Sequence, residues 1–224
     1  MMDWLSEYGV FLTSRQGDIL IALRDHIYIS ALSIIFGAIV AIPVGIWLAG
    51  SRIGWLNHFV FTIANVLQTI PSLALLAILI PLLGIGRTPA VFALFLYSIM
   101  PIMRNTYSGF KAVDPNVMEA ARGMGYSRMQ RLLRIQLPLS FPYIMSGLRV
   151  TTVYIISWAT LATLIGAGGL GQLIFSGLGV NKKELIVTGA VLAVVLALAA
   201  DYLLGLAEKW VTAKTKSTPA SGTV

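Results

Sequence analysis

The chain has 224 residues, 57% of them apolar and only 11% charged, with a formal net charge of +7 and a mean hydropathy of +0.84. Soluble domains average about 25% charged residues, so most of this surface faces lipid or other membrane helices, and the length suits one domain of about five or six spans. The chain has no Cys, which excludes disulfides, thiolate metal sites, a Cys nucleophile and Cys lipidation, and its basic excess lies in loops beside apolar segments, where positive-inside topology and anionic lipid explain it without nucleic acid.

Residues 1–26 carry Asp3 and Glu7 but no early Lys or Arg, the wrong start for a cleaved signal peptide. Polar groups alternate there with Trp4, Leu5, Phe11, Leu12, Ile19, Leu20 and Leu23, predicting an extracytoplasmic, interfacial helix that leads into the first span. That span covers residues 27–49 without a charge and ends at Gly50-Ser51-Arg52. The second apolar region, residues 55–83, exceeds one straight span but is too short for two. It contains Gln68 and Pro71, and Pro71 removes an intrahelical hydrogen bond. It reads as one long helix, kinked or with a broken continuation, a strongly broken pair being the alternative. Further spans are predicted over 88–103, 142–165 and 185–206, the last holding Asp201. Residues 209–224 end in TAKTKSTPASGTV, which lacks apolar periodicity and predicts a disordered tail. The expected fold is an all-α polytopic membrane protein with about five transmembrane helices, six being the alternative, and a permease domain over 27–208.

Charge asymmetry orients these spans. Seven of the sixteen Lys/Arg residues lie from Arg104 to Arg149, against two acids, Asp114 and Glu119. If that region is cytoplasmic, five alternating spans place eleven basic residues inside and five outside: Arg15, Arg24, Arg87, Lys182 and Lys183. The N-terminus is then outside and the C-terminus inside.

The charged stretch cannot lie in hydrocarbon. It forms a water-facing insert, residues 111–138, where a soluble partner can attach. Asp114-Pro115-Asn116 is a helix start, with an Asx cap and Pro at the first helical position. Glu119 follows in the first turns, where a carboxylate interacts well with the helix dipole. Gly125 breaks the periodicity. A second run presents Met129, Leu132, Leu133 and Gln136 on one face and Arg128, Arg131 and Arg134 on another. Leu137-Pro138 is expected to end it. The small Ala120-Ala121 pair allows close approach to a partner groove.

The spacing is Glu119-Ala120-Ala121, three residues, Gly125, nine residues, Ile135, one residue, then Leu137-Pro138. It resembles the cytoplasmic EAA signature of ABC importer permeases. ANVLQTIPSLALLA (64–77), PIMRNTYSGF (101–110) and LIGAGGLGQLIFSGL (164–178) resemble the membrane subunits of osmoprotectant importers, which take up glycine betaine, carnitine, choline and related quaternary amines. Methionine importer permeases share the general pattern more distantly. The resemblance implies a multi-pass subunit of the bacterial cytoplasmic membrane with a five-span core. It implies a dimer, homo- or heteromeric, with the pathway at its two-fold axis. One cytoplasmic ATPase on each permease, hence two copies, and an extracytoplasmic substrate-binding protein are also implied. In such families the EAA helix docks in a groove on the ATPase, which makes Glu119, Ala120, Ala121, Gly125, Ile135, Leu137 and Pro138 the coupling residues. The alternatives are an importer of another small solute, such as an amino acid, and an ATP-independent osmotic channel.

No GxxxxGK[ST] occurs, so ATP hydrolysis is expected on a partner chain, and no cofactor is expected. Gly166-Ala167-Gly168-Gly169-Leu170-Gly171 matches GxGxxG, but a transmembrane helix precedes it where a dinucleotide site needs a strand. It reads as a close-packing turn at the outer mouth or a plain helix-end loop. His26 and His58 stand near span ends without partners at metal spacing and are expected to be satisfied interfacial histidines; no metal is expected. Asp201 is expected to pair or snorkel. Mid-span Ser, Thr, Asn and Gln are expected to hydrogen-bond between helices or to their own backbone. A quaternary ammonium has no N–H donors and is held by aromatic faces, which makes Tyr97, Tyr154 and Trp158 candidates for a weak transit site. With Gln68, Pro71, Gly166, Gly168, Gly169 and Gly171 they are the candidate pathway and gate positions.

Overall fold

The computed structural model describes residues 2–216, and every regular element among them is helical. In chain order these are α1 (Met2–Ser14), α2 (Gln16–Gly50), α3 (Gly54–Thr69), α4 (Ser72–Leu83), α5 (Arg87–Lys111), α6 (Pro115–Gly123), α7 (Arg128–Arg131), α8 (Leu137–Ala159), α9 (Leu170–Gly179) and α10 (Lys183–Lys216). A π-turn, Leu132–Gln136, joins α7 to α8, and a 3-10 turn, Leu161–Ile165, follows α8.

Three helical runs are long and apolar enough to cross a membrane alone: α2, the run Arg128–Ala159, and Lys183–Ala213 within α10. The α3–α4 pair, bent by 95°, makes a fourth if counted as one span. The remaining predicted span, 88–103, corresponds to α5, which at 25 residues is about 37 Å long, enough to cross. Arg104 and Asn105 dilute its apolar character, yet α5 is the helix with the longest list of buried positions, including Ala90, Leu94, Tyr97, Ser98, Ile102, Met103 and Thr106. A helix sheathed by its neighbours does not meet lipid over its whole length, so its composition need not match a lipid-facing span. Helix α10 is the opposite case. It packs against α8 and α9 and leaves Val191, Val194, Val195, Leu198 and Leu203 exposed.

In hydrocarbon no hydrophobic force drives one apolar helix onto another, so close packing and interhelical hydrogen bonds hold the bundle together. The buried stripe of α2 is built for this: Ala22, His26, Ile29, Ser30, Ser33, Gly37, Ala41, Gly45 and Leu48 recur at three- and four-residue spacing. A Cβ at Gly37 would collide with the Ser98 side chain of α5, so only Gly lets the two backbones approach this closely. Ser33 Oγ donates to Ile29 O of its own helix at 2.8 Å and to Val91 O of α5 at 3.1 Å. One apolar cluster joins Ile29, Leu76, Leu79, Leu94, Tyr97 and Ile155, and a second joins Ala41, Leu48, Ala64, Met100, Ile102 and Met103.

Four details differ from expectation or sharpen it. The second apolar region is the strongly broken pair, not a kinked helix. Ile70 takes ψ 127° and Pro71 ψ 135°, both extended, as steric conflict before a proline favours. Pro138 does not end the second insert helix, which runs on as one body to Ala159. The π-turn absorbs the proline: Leu137 N–H donates to Leu132 O, five residues back, where an α-turn would press the ring of Pro138 against the preceding carbonyl. Helix α10 continues to Lys216, so 209–216 is helical where a disordered tail is expected, and 217–224 lie outside the described residues. The stretch after the Gly-rich loop is not all loop, since α9 forms there, at ten residues too short to cross a membrane.

Candidate functional site

The insert is an ordered helix pair. Asp114 Oδ1 accepts from Asn116 N–H at 2.8 Å, and Pro115 opens α6. At the other end Tyr126 N–H donates to Ala121 O at 3.1 Å and Gly125 N–H to Arg122 O at 3.0 Å. This six-to-one and five-to-two pattern is a Schellman termination, which places its first residue beyond the cap in the left-handed region. That residue is Gly125, with φ +82°. Ser127 and Gln130 then form a reciprocal capping box for α7. The turn between the helices is therefore defined by four local hydrogen bonds and one glycine.

The seven predicted coupling residues divide by exposure. Glu119, Ala120 and Gly125 face outward, whereas Ala121 is fully buried. Only Ala120 of the alanine pair is free to meet a partner; Ala121 lets the chain pack on itself. Ile135, Leu137 and Pro138 are half-buried in the π-turn and the first turn of α8. Around the exposed members stand Val117, Met124, Met129 and Leu133, all well exposed. An apolar patch among arginines on a capped helix pair is a surface shaped for a protein partner.

A second set of predicted residues meets at the break between α3 and α4. Tyr97 Oη donates to Ile70 O at 2.6 Å, and Gln68 Nε2 donates to Tyr97 O at 3.0 Å. The Ile70 carbonyl freed by the break thus gains a donor, which an irregular backbone at membrane depth requires. Trp158 meets Tyr97 edge-on, with ring centroids 4.6 Å apart, and stacks on Tyr154 at 6.1 Å. Gln68, Pro71, Tyr97, Trp158 and Tyr154 are one contiguous group. Tyr97 is buried and committed to packing, while Tyr154 is 52% exposed and Trp158 partly so.

The third set lies at the far end of α2. Gly166, Gly168 and Gly169 have φ of +76°, +82° and +87°. Gly171 is helical, and a Cβ there would strike the Thr160 carbonyl. His26 pins this loop. Leu170 N–H donates to Nδ1 at 3.2 Å, and Nε2 lies 2.9 Å from Ile156 O. Because an amide only donates and a carbonyl only accepts, the ring is the neutral tautomer with its proton on Nε2. His26 is therefore satisfied as expected, but it is fully buried and not interfacial, because both its ring nitrogens are held by backbone groups of packed helices. Beside it Asp25 accepts from Arg87 Nη2 at 2.6 Å and from Arg24 Nη2 at 3.0 Å. Thr163 Oγ1 donates to Gly168 O at 2.6 Å.

This latch is absent from the sequence reading, which counts Arg24 and Arg87 only as topology charges. The available signal is an acid at the head of the first span in a chain with only nine acids. Asp201 does pair, accepting two hydrogen bonds from Arg149, at 2.9 and 3.0 Å, while Arg149 also reaches Glu208 at 3.1 Å. This fork clamps α8 to α10. The mid-span hydroxyls behave as expected: Ser30, Thr151 and Thr152 each donate to the carbonyl four residues back.

Residues 41–214 match the family described as binding-protein-dependent transport system inner membrane component. The chain belongs to that family. It is a membrane permease, a transport subunit and not an enzyme. Among its relatives, the glycine betaine/carnitine/choline transport system permease protein OpuCB of Bacillus subtilis (strain 168) is 43% identical over 210 residues, covering 94% of this permease and 96% of the relative. The choline transport system permease protein OpuBB of the same strain is 45% identical, covering 90% and 92%. The carnitine transport permease protein OpuCB of Listeria monocytogenes is 44% identical, covering 91% and 93%. Among solved structures, a chain of the MetNI methionine ABC transporter, crystallised in inward-facing conformations, superposes with a TM-score of 0.81 over 89% of this permease and 98% of that chain. Its 24% identity carries the fold and no more. The methionine pattern is the more distant one, as the sequence motifs suggest.

Proposed function

We propose that this permease translocates quaternary-ammonium osmoprotectants of the glycine betaine, carnitine and choline class, by alternating access coupled to a partner ATPase. The observation that carries the coupling is the doubly capped insert, which offers Glu119, Ala120, Gly125 and an apolar patch on a rigid turn. A rigid turn can pass a push from the ATPase into α8, because α7, the π-turn and α8 form one continuous run. Near-full-length similarity to permeases named for these solutes supports the cargo. So does the exposed Tyr154–Trp158 pair, since aromatic faces are what a cation without N–H donors can use.

In this reading two copies of the ATPase sit on the insert faces of a permease dimer, and an extracytoplasmic binding protein delivers the substrate at the end holding residues 166–171. The insert and the C-terminus are cytoplasmic and the N-terminus is outside, as the positive-inside count favours. Residues 1–26 are the extracytoplasmic segment and 27–208 the permease domain.

The test is reconstitution of the assembled transporter with Glu119→Arg or Gly125→Val. Each variant is expected to insert and assemble, to lose uptake of labelled choline or glycine betaine, and to hydrolyse ATP without response to substrate. Normal substrate-stimulated hydrolysis and uptake in both variants would sink the coupling role. Uptake of an amino acid, but of no quaternary amine, would sink the cargo assignment.

A further inference from the structure

A cleft of about 1050 Å³ separates the insert from the last turn of α2 and the start of α3. Four guanidinium groups line it from three separate segments: Arg52 in the link between α2 and α3, Arg122 in α6, and Arg128 and Arg131 in α7. Among the described residues none of the four has an ion-pair partner, in contrast to Arg24, Arg87 and Arg149. No acid lines this cleft; Glu119 lies in the adjoining one, with Arg122 and Arg131. Four like charges held together without counterions repel one another, so the cleft is arranged for an anion.

The other wall identifies the anion. It consists of apolar side chains at the end of a membrane span, Trp47 and Leu56 among them. Trp47, in the last turn of α2, is 56% exposed and Trp55, in the first turn of α3, is 71% exposed. Exposed Trp at a span end marks the headgroup level of a bilayer. A free anion has no use for an apolar wall. A phospholipid satisfies both walls, with its phosphate on guanidinium forks and its glycerol and upper acyl chain on Trp47 and Leu56.

We propose that this cleft binds the headgroup of an anionic phospholipid, which ties the coupling insert to the end of α2. The inference rests on the membrane reading of the family but not on the cargo or the ATPase contact. Bound lipid shields the mutual repulsion of the arginines and fixes the distance between the insert and the α2–α3 link. It thereby sets how stiffly a push on α6 reaches the spans.

The test uses the assembled transporter in nanodiscs of phosphatidylcholine doped with fluorescent phosphatidylglycerol, with lipid binding read directly and transport left out. The paired change Arg52→Gln with Arg128→Gln is expected to weaken phosphatidylglycerol binding roughly tenfold or more, since each basic residue near an anionic surface contributes about 1 kcal/mol. The paired change Lys182→Gln with Lys183→Gln removes the same charge at the opposite end and is expected to change nothing. Arg52→Lys with Arg128→Lys keeps the charge but loses the fork, and is expected to fall between the parent and the Arg-to-Gln pair. The proposal is overturned if the Arg-to-Gln pair binds lipid like the parent, or if the Lys pair loses as much. It is equally overturned if inorganic phosphate at the same concentration displaces the lipid, or if the Arg-to-Gln pair sheds the ATPase while keeping its lipid.

Discussion

At the end of the bundle holding residues 166–171, Asp25 is buried between Arg87 and Arg24, and His26 spends both ring nitrogens on backbone groups of distant helices. At the insert end Arg52, Arg122, Arg128 and Arg131 stand around a cleft without a counterion among the described residues. Glycine differs in the same way. Gly125 and Gly169 both have positive φ, but a Cβ on Gly125 would meet nothing within 4 Å, while one on Gly169 would lie 3.0 Å from His26 Nδ1. Around Asp25 and His26 the far end has settled its buried charge and its close contacts internally. The insert end has settled only its backbone and leaves charge and apolar surface for something outside the chain. A paired, buried ion reports on structure; an unpaired cluster on an ordered scaffold reports on a partner.

The largest expected effect that would break this contrast comes from Arg87→Met. It leaves the buried Asp25 with only the well-exposed Arg24, and should cost about 3 kcal/mol in the unfolding of the purified permease. Combining it with Asp25→Asn should recover most of that loss, because the cost is an underpaired charge and not a lost contact. Unchanged stability in the single variant would show that the latch is ornamental. Next comes Gly169→Ala. Its φ of +87° and ψ of −177° lie where essentially only Gly is found, and His26 leaves no room, so about 2 to 3 kcal/mol is expected. Gly125→Ala pays only the left-handed backbone cost, about 1 to 2 kcal/mol. Equal losses at the two glycines would erase the distinction between a packed loop and an open turn. The smallest effect is expected for Asp114→Ala, a lost N-cap worth about 1 kcal/mol. It should appear as faster amide exchange confined to the first turn of α6. Exchange that rises across α8 as well would mean that the insert is not locally capped.

Much of the insert was legible because its signals are local. Asp114, Pro115 and Gly125 act within a few residues of themselves, and the structure uses each where expected. Pro138 misled because its penalty can be met in two ways. A helix may stop, or it may widen by one residue per turn, and here the continuous run into α8 favours widening. Pro71 marks the break, but the Ile70 carbonyl it frees is met from α5 by the Tyr97 hydroxyl, and Gln68 of α3 holds the Tyr97 carbonyl in turn. Those residues were candidates for a pathway, and the structure assigns Tyr97 a structural duty at the same spot.

Composition and the long apolar segments pointed to a helical membrane protein, and the spacing from Glu119 to Pro138 carried the resemblance to ABC importer permeases, because both are properties of short stretches of chain. Only the tertiary structure decided which charges are spent. Arg87 and Asp25 are 62 residues apart, and Arg149 and Asp201 are 52 apart. Arg52 and Arg128 line one cleft only because the insert folds back toward the end of α2. Pairing a charge requires bringing a partner to within a few ångströms, and no local pattern specifies that distance. In a linear count all sixteen basic residues look alike; in the folded chain some hold helices together and others wait at the surface.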